Sequence, residues 1–351
     1  MLFQLYGSTA MTQLLGWVLV FAGLVILNEI GRRTKIGGIV IFVIIPAILT
    51  IYFIGIQAGL FGGHSNQTYE YMNGWFHYAK LYAADIGVVG FLMIKYKWGL
   101  GKKEWFKPWP FIIVAINILI AVASDFESAI RANEGVFLYG GWWNIVNGIA
   151  GLINIFCMTG WWGIYSSKKK DDMLWPDMTI WFIVAYDIWN FEYTYCNLPT
   201  HTWYCGVALL LAPTFANALW NKGGWIQNRA MTLATWCMFA QVLPLFQLSS
   251  TFSVLPSLYG GATKAGVKAL DLYNAAITCH TTGASAGDAI ANFGITANPT
   301  AQGVVAMLAI IANVVCISVI IKRSIEQKKC PYTKEIWVGT RDYEQAMSRA
   351  E

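Results

Sequence analysis

The chain has 351 residues, 56% of them hydrophobic and only 12% charged, with a mean hydropathy of +0.49. Soluble globular proteins are nearer a quarter charged, so this composition excludes an ordinary soluble domain and points to a membrane protein. The net charge of +5 does not point to nucleic acid, because the basic residues fall in short loops between apolar runs and in the last thirty residues.

Apolar runs of about twenty residues recur along the chain, and nine spans are predicted. The first covers Thr9–Asn28 and the second Ile36–Phe61. A polar loop, His64–Asn73, leads to the third, Gly74–Ile94. The fourth covers Pro108–Ser124, the fifth Gly141–Tyr165 and the sixth Trp175–Tyr195. The seventh is Thr202–Trp220, the eighth Asn228–Gln247 and the ninth Gln302–Ile321. The expected architecture is all-α: a polytopic transmembrane helical bundle over residues 1–330, followed by a tail at 331–351. No cleavable signal peptide is evident, since the first ten residues hold no Lys or Arg and no small-residue cleavage site follows the first span.

Charge sets the expected orientation. With the N-terminus outside, twenty of the 24 Lys and Arg residues fall on the cytoplasmic side and three outside, with Lys80 inside the third span. That asymmetry follows the positive-inside rule and puts the tail in the cytoplasm. The long Gly-, Ala-, Ser- and Thr-rich connection Leu248–Ala301 then lies outside, with a short surface helix or lid suggested by the pattern over Ala262–Thr281.

Polar residues inside the spans are the candidate functional groups, because each costs energy in hydrocarbon and needs a partner or a cavity. The sixth span, WPDMTIWFIVAYDIWNFEYTY, carries Tyr186, Asp187 and Asn190 on neighbouring positions. Asp187 is the centre of the expected site, with a hydrogen-bond partner sought on the third or fifth span. On the third span, His77, Lys80 and Asp85 lie along one broad side. Lys80 needs a counter-ion, for which Asp187, Glu192 and Asp85 are candidates, or it snorkels outward as a long side chain can. On the fifth, Asn144, Asn147 and Asn154 form a stripe with Gly151 that serves either as interhelical glue or as a cavity wall.

Other polar groups have simpler explanations. Asp177 behind Pro176 reads as a helix start, and Asp125, Glu127 and Arg131 as a solvated helix end with a Glu127–Arg131 pair. Trp225–Arg229 reads as a cytoplasmic anchor. The four His residues and Cys196, Cys205 and Cys279 show no metal-ligand spacing, so no metal site is expected, and no cofactor is indicated. A disulfide between Cys196 and Cys205 is open. A retinal Schiff base is excluded by the absence of Lys from the ninth span.

Several strings carry a resemblance: Asn28-Glu29, Trp75-Phe76-His77, Gly140-Gly141-Trp142-Trp143-Asn144 and Asn147-Gly148-Ile149-Ala150-Gly151. To these the sixth span and its approach add Met173-Leu174-Trp175-Pro176-Asp177-Met178 and Ala185-Tyr186-Asp187-Ile188-Trp189-Asn190-Phe191. Together they resemble an uncharacterised family of bacterial multi-pass membrane proteins, a domain of unknown function, over the first to the eighth span. The resemblance implies the topology and nothing about substrate. The functional expectation is a transporter or permease-like protein, in a bacterial plasma membrane, whose pocket between the third, fifth and sixth spans takes a small polar or cationic solute. The alternatives are an intramembrane enzyme using the Asp187 carboxylate as acid or base, and a ligand-binding receptor. The lipid bilayer is the expected partner, and homo-oligomerisation is left open.

Overall fold

The computed structural model of the protein describes residues 2–5, 7–132, 140–198, 201–248, 251–252, 254–256 and 299–351. Most of the long segment Leu248–Ala301, including the helix expected over Ala262–Thr281, lies outside the described residues. So do Cys279, His280 and the basic pair Lys264 and Lys268.

Among the described residues nine helices of fifteen residues or more occur, one in each expected segment. In chain order α1 is Ala10–Arg33 and α2 is Lys35–Gln57. A short helix α3, Gln67–Met72, precedes α4, Trp75–Tyr96. Next come α5, Trp109–Ile130, α6, Trp142–Phe156, and α7, Ile180–Asn197. Then follow α8, Thr202–Leu219, α9, Trp225–Val242, and α10, Pro299–Gln327. A last short helix, α11, is Arg341–Met347.

Local chemistry explains the boundaries. Thr34 breaks between α1 and α2 in an extended conformation, and its hydroxyl accepts the Gly37 N–H. Inside α2, a π turn at Val40–Ile44 comes just before Pro46, which has no N–H to give the Phe42 carbonyl and whose ring would crowd it. Pro110 sits in the first turn of α5, where its missing N–H has no cost. At the start of α6 the Asn144 side chain accepts the Gly141 N–H at 3.0 Å.

Five helices, α1, α2, α5 with the turn before it, α8 and α10, are long and apolar enough to cross a membrane, which makes this an integral membrane protein in contact with the bilayer. The remaining four, α4, α6, α7 and α9, are the more polar ones or, for α6, a short one: at fifteen residues it is about 22 Å long. They sit among the others. The last helix, α10, packs on α6 and α7; α5 lies against α6 and α4; α9 lies against α4, α8 and α1. Apolar side chains that point outward on α1 and α2, such as Val18, Leu19, Ile51 and Ile54, are exposed, as a lipid-facing surface requires.

The core around α7 is aromatic. Phe111 meets Trp175 edge-on at 5.1 Å, Trp175 meets Phe182 at 5.1 Å, and Trp225 stands edge-on to both Phe182 and Tyr186. These rings bury large areas in the offset geometry that their quadrupoles favour.

Three expectations about segment ends are corrected. The fifth helix stops at Phe156 rather than Tyr165, and the sixth starts at Ile180 rather than Trp175. Between them, β2 (Tyr165–Ser166) pairs antiparallel with β3 (Met173–Leu174). Asp177 therefore does not open a helix; Thr179 caps α7 instead, and the Asp177 carboxylate accepts the Trp337 N–H from the tail at 2.8 Å. Finally, α10 runs to Gln327, and the tail folds back: Gly160 N–H donates to Pro331 O at 2.7 Å and Glu351 N–H to Ser166 O at 2.9 Å. A second two-residue pairing, β1 (Phe3–Gln4) with β4 (Leu255–Pro256), ties the N-terminus to the opposite end.

Candidate functional site

Three helices that are poor in lipid-facing character bring their polar faces together. On α4, Phe76, His77 and Lys80 follow one another at helical spacing, as do Tyr186, Trp189, Asn190 and Tyr193 on α7. On α9 the series runs Arg229, Leu233, Trp236, Cys237, Ala240 and Gln241. These faces enclose a cavity of about 100 Å³, closed further by Asn117 and Ile118 of α5 and by His201, Cys205 and Leu209 at and in α8. At about 10–15 Å³ per water it holds several waters or one small molecule.

Among the described residues, Lys80 and Arg229 line this cavity and no Asp or Glu does. The Arg229 guanidinium lies over the Tyr186 ring, 5.6 Å from its centre, and its Nε and Nη1 are buried without a hydrogen-bond partner. The residue as a whole is 6% exposed. Lys80 donates from Nζ to the Asn117 carbonyl at 2.8 Å and lies 5.5 and 5.7 Å from the centres of the Phe76 and Tyr193 rings. Among the described residues no carboxylate stands within 4.0 Å of either cation. Aromatic faces attract cations and soften their desolvation, but they do not neutralise them.

The structure divides the expected site residues into two groups. His77, Lys80, Tyr186 and Asn190 line the cavity. Asp187, Asp85, Asn144, Asn147 and Asn154 do not. Asp187 lies about 100° around α7 from Tyr186 and faces α8, not the third or fifth span. There Thr214 Oγ1 donates to its Oδ2 at 2.8 Å and accepts the Trp225 indole N–H at 2.9 Å. Asp85 is buried, and five residues beyond Lys80 it falls on another side of α4. Neither it, Asp187 nor Glu192 pairs with Lys80, whose carbonyl and ring contacts take the place of the expected counter-ion.

The Asn stripe of α6 is glue. Asn154 Nδ2 donates to Asn313 Oδ1 of α10 at 2.7 Å, and Asn313 Nδ2 donates to the Ala185 carbonyl of α7 at 3.2 Å. Asn144 and Asn147 turn to Asp125, donating at 3.3 and 2.9 Å, and Asn197 of α7 donates to the same carboxylate. Asp125 is fully buried, because α5 continues to Ile130 and carries it inside the bundle. Only the Glu127–Arg131 pair, 3.0 Å apart and half-exposed, matches the solvated helix end expected there. The pocket thus forms between the third, sixth and eighth helical segments, and the fifth is not part of it. Cys196 and Cys205 are both free thiols; the Trp236 indole N–H donates to Cys205 Sγ at 2.8 Å.

Sequence reasoning missed Arg229, reading it as part of a cytoplasmic anchor at the start of the eighth span. The helix begins at Trp225, three residues earlier than predicted, so Arg229 lies in its second turn. Its spacing of four from Leu233 and seven from Trp236 is the signal that could have put it on a shared face.

A family model described as a family of unknown function (DUF5692) matches residues 7–349. No curated protein and no solved structure matches the chain.

Proposed function

Given that the chain belongs to this family of unknown function, we propose that it is a transporter or permease-like protein that takes a small polar solute into the cavity between α4, α7 and α9. The observation that carries this reading is the cavity itself: charged and hydrogen-bonding side chains, expensive in hydrocarbon, converge on a space able to hold a small molecule. The enzyme alternative rested on Asp187, which lies off the cavity with Thr214 as its partner. In this reading all nine long helices are inserted, the four polar ones sheltered by the apolar five. The N-terminus is outside and the basic end faces the cytoplasm of a bacterium, as the charge asymmetry and the family resemblance suggest.

Two experiments test the proposal. Screening small polar solutes for thermal stabilisation of the purified protein, then for uptake into proteoliposomes, is expected to yield at least one that does both. Ala240→Phe, which fills the cavity from α9, is expected to abolish that uptake while the protein stays folded; undiminished uptake by this variant would remove the cavity from the route. For orientation, single-Cys variants in the 168–172 loop are expected to react with an impermeant thiol reagent only from the cytoplasmic side. Labelling from outside alone would sink the topology.

A further inference from the structure

We infer that the cavity is a carboxylate site: it binds a small organic monoanion, its charge held by Arg229 and its body by the aromatic and aliphatic walls. This rests on the proposal that the cavity admits a solute, and it names the solute's class. It sets aside the cationic solute that the sequence reading offered beside a polar one.

The argument begins with Arg229. A guanidinium cannot give up its proton inside a protein, so it needs an anion, water or π-face wherever it is buried. It has the Tyr186 face, but Nε and Nη1 carry no hydrogen bond, and no carboxylate of the described residues stands within 4.0 Å; Asp187 acts on it only at longer range, without contact. Removing a charge from water without a partner is costly, so a partner that enters from outside gains what the fold leaves unmade. A carboxylate supplies what these atoms lack: negatively charged acceptor oxygens for a charge-assisted hydrogen bond from Nε or Nη1.

The second cation sets the charge count. Lys80 is already held by the Asn117 carbonyl and two ring faces, and unlike Arg229 it is able to lose its proton. One fixed positive charge matches one negative charge. The rest of the wall is apolar or aromatic, with Ile118, Leu209, Leu233, Trp189 and Trp236, which suits a hydrocarbon body rather than a second charged group. A cationic solute would meet the fixed charge of Arg229 and, among the described residues lining the cavity, no acid.

The test uses the intact protein in lipid nanodiscs in sulfate buffer, reading tryptophan fluorescence, since Trp189 and Trp236 line the cavity. The probes are butyrate, its neutral isostere butyramide, chloride and tetramethylammonium. Saturable binding of butyrate is expected, at least about tenfold tighter than that of butyramide, the scale of a charge-assisted hydrogen-bond pair. Arg229→Gln is expected to erase that preference, and Arg229→Lys to retain part of it. If Arg229→Gln does not fold, the butyrate–butyramide comparison in the unaltered protein decides alone. Equal binding of the two, or tighter binding of tetramethylammonium, would overturn the carboxylate site while leaving the cavity reading intact. Chloride binding as tightly as butyrate would overturn the organic class. No response to any of the four probes would overturn the cavity reading with it.

Discussion

Asp125 and Arg229 are buried charges of opposite sign that the fold treats differently. Asp125 receives amide donors from Asn144, Asn147 and Asn197, so its carboxyl oxygens are satisfied by protein dipoles instead of water. Arg229 has hydrogen-bonding capacity to spare. The first pattern belongs to a group that holds helices together; the second is what the proposed carboxylate site requires. Asp125→Ala should therefore act on stability: three amides lose their acceptor, and hydrogen bonds to a charged group are worth about 1.5–3 kcal/mol. We expect a loss of about 3 kcal/mol, seen as a lower midpoint of thermal unfolding in detergent, with the response to cavity probes kept in the folded fraction. A midpoint unchanged from that of the parent protein would contradict the structural role.

At the level of elements, the helices sort by what surrounds them. The outer α1 and α2 expose apolar side chains, and their hydropathy alone identifies them. The polar side chains of α4, α6, α7 and α9 lie on faces turned to protein, while α6 and α7 also expose apolar residues such as Ile145, Ile149, Ile180 and Val184. Close approach then depends on small residues. A Cβ at Gly151 of α6 would stand 2.6 Å from the Trp189 indole nitrogen and 2.7 Å from Val122, so glycine lets α5, α6 and α7 meet there. The Gly151–Asn154 spacing was legible in sequence as a small-and-polar stripe. Which of its two uses held was decided by Asn313, a residue 159 positions further along that meets Asn154 only in the folded bundle.

On the scale of the whole molecule, the tail clamps one end of the bundle. Asp172, fully buried, takes Arg32 of α1 at 2.6 Å and Arg349 of the tail, while Lys222 pairs with Asp342 at 2.8 Å. Beside them, burial pushes the Asp171 carboxyl upward, but the Ser167 hydroxyl, donating at 2.6 Å, and the nearby Arg349 and Arg32 charges hold it below its ordinary value of 3.8. The Glu351 carboxyl is lowered as well, by Lys170. A carboxylate with a depressed pKa in the fold adds stability above its ordinary pKa and loses it as pH falls through the depressed one. Acidification below about pH 4 should thus loosen the tail. Amide exchange at Lys168 and Glu351, whose N–H groups bond across this contact, is expected to accelerate there before the bundle opens, and Asp171→Asn to flatten the dependence. Exchange that is flat with pH in the unaltered protein would refute the linkage.

Membrane residence and the all-α class were determined by composition and by runs of apolar residues, because hydrophobic burial in lipid needs no knowledge of neighbours. The positions of the five apolar helices followed for the same reason, and four of the cavity residues stood out as polar side chains in largely apolar runs. Tertiary structure alone decided their partners. Helix spacing says which residues share a face but not which helix that face meets, so Asp187 went to Thr214, Asp125 went to three asparagines, and Arg229 moved from an expected cytoplasmic anchor into the cavity. The sign proposed for the site rests on those pairings, because a buried charge acts on a ligand only where the fold has left it unneutralised.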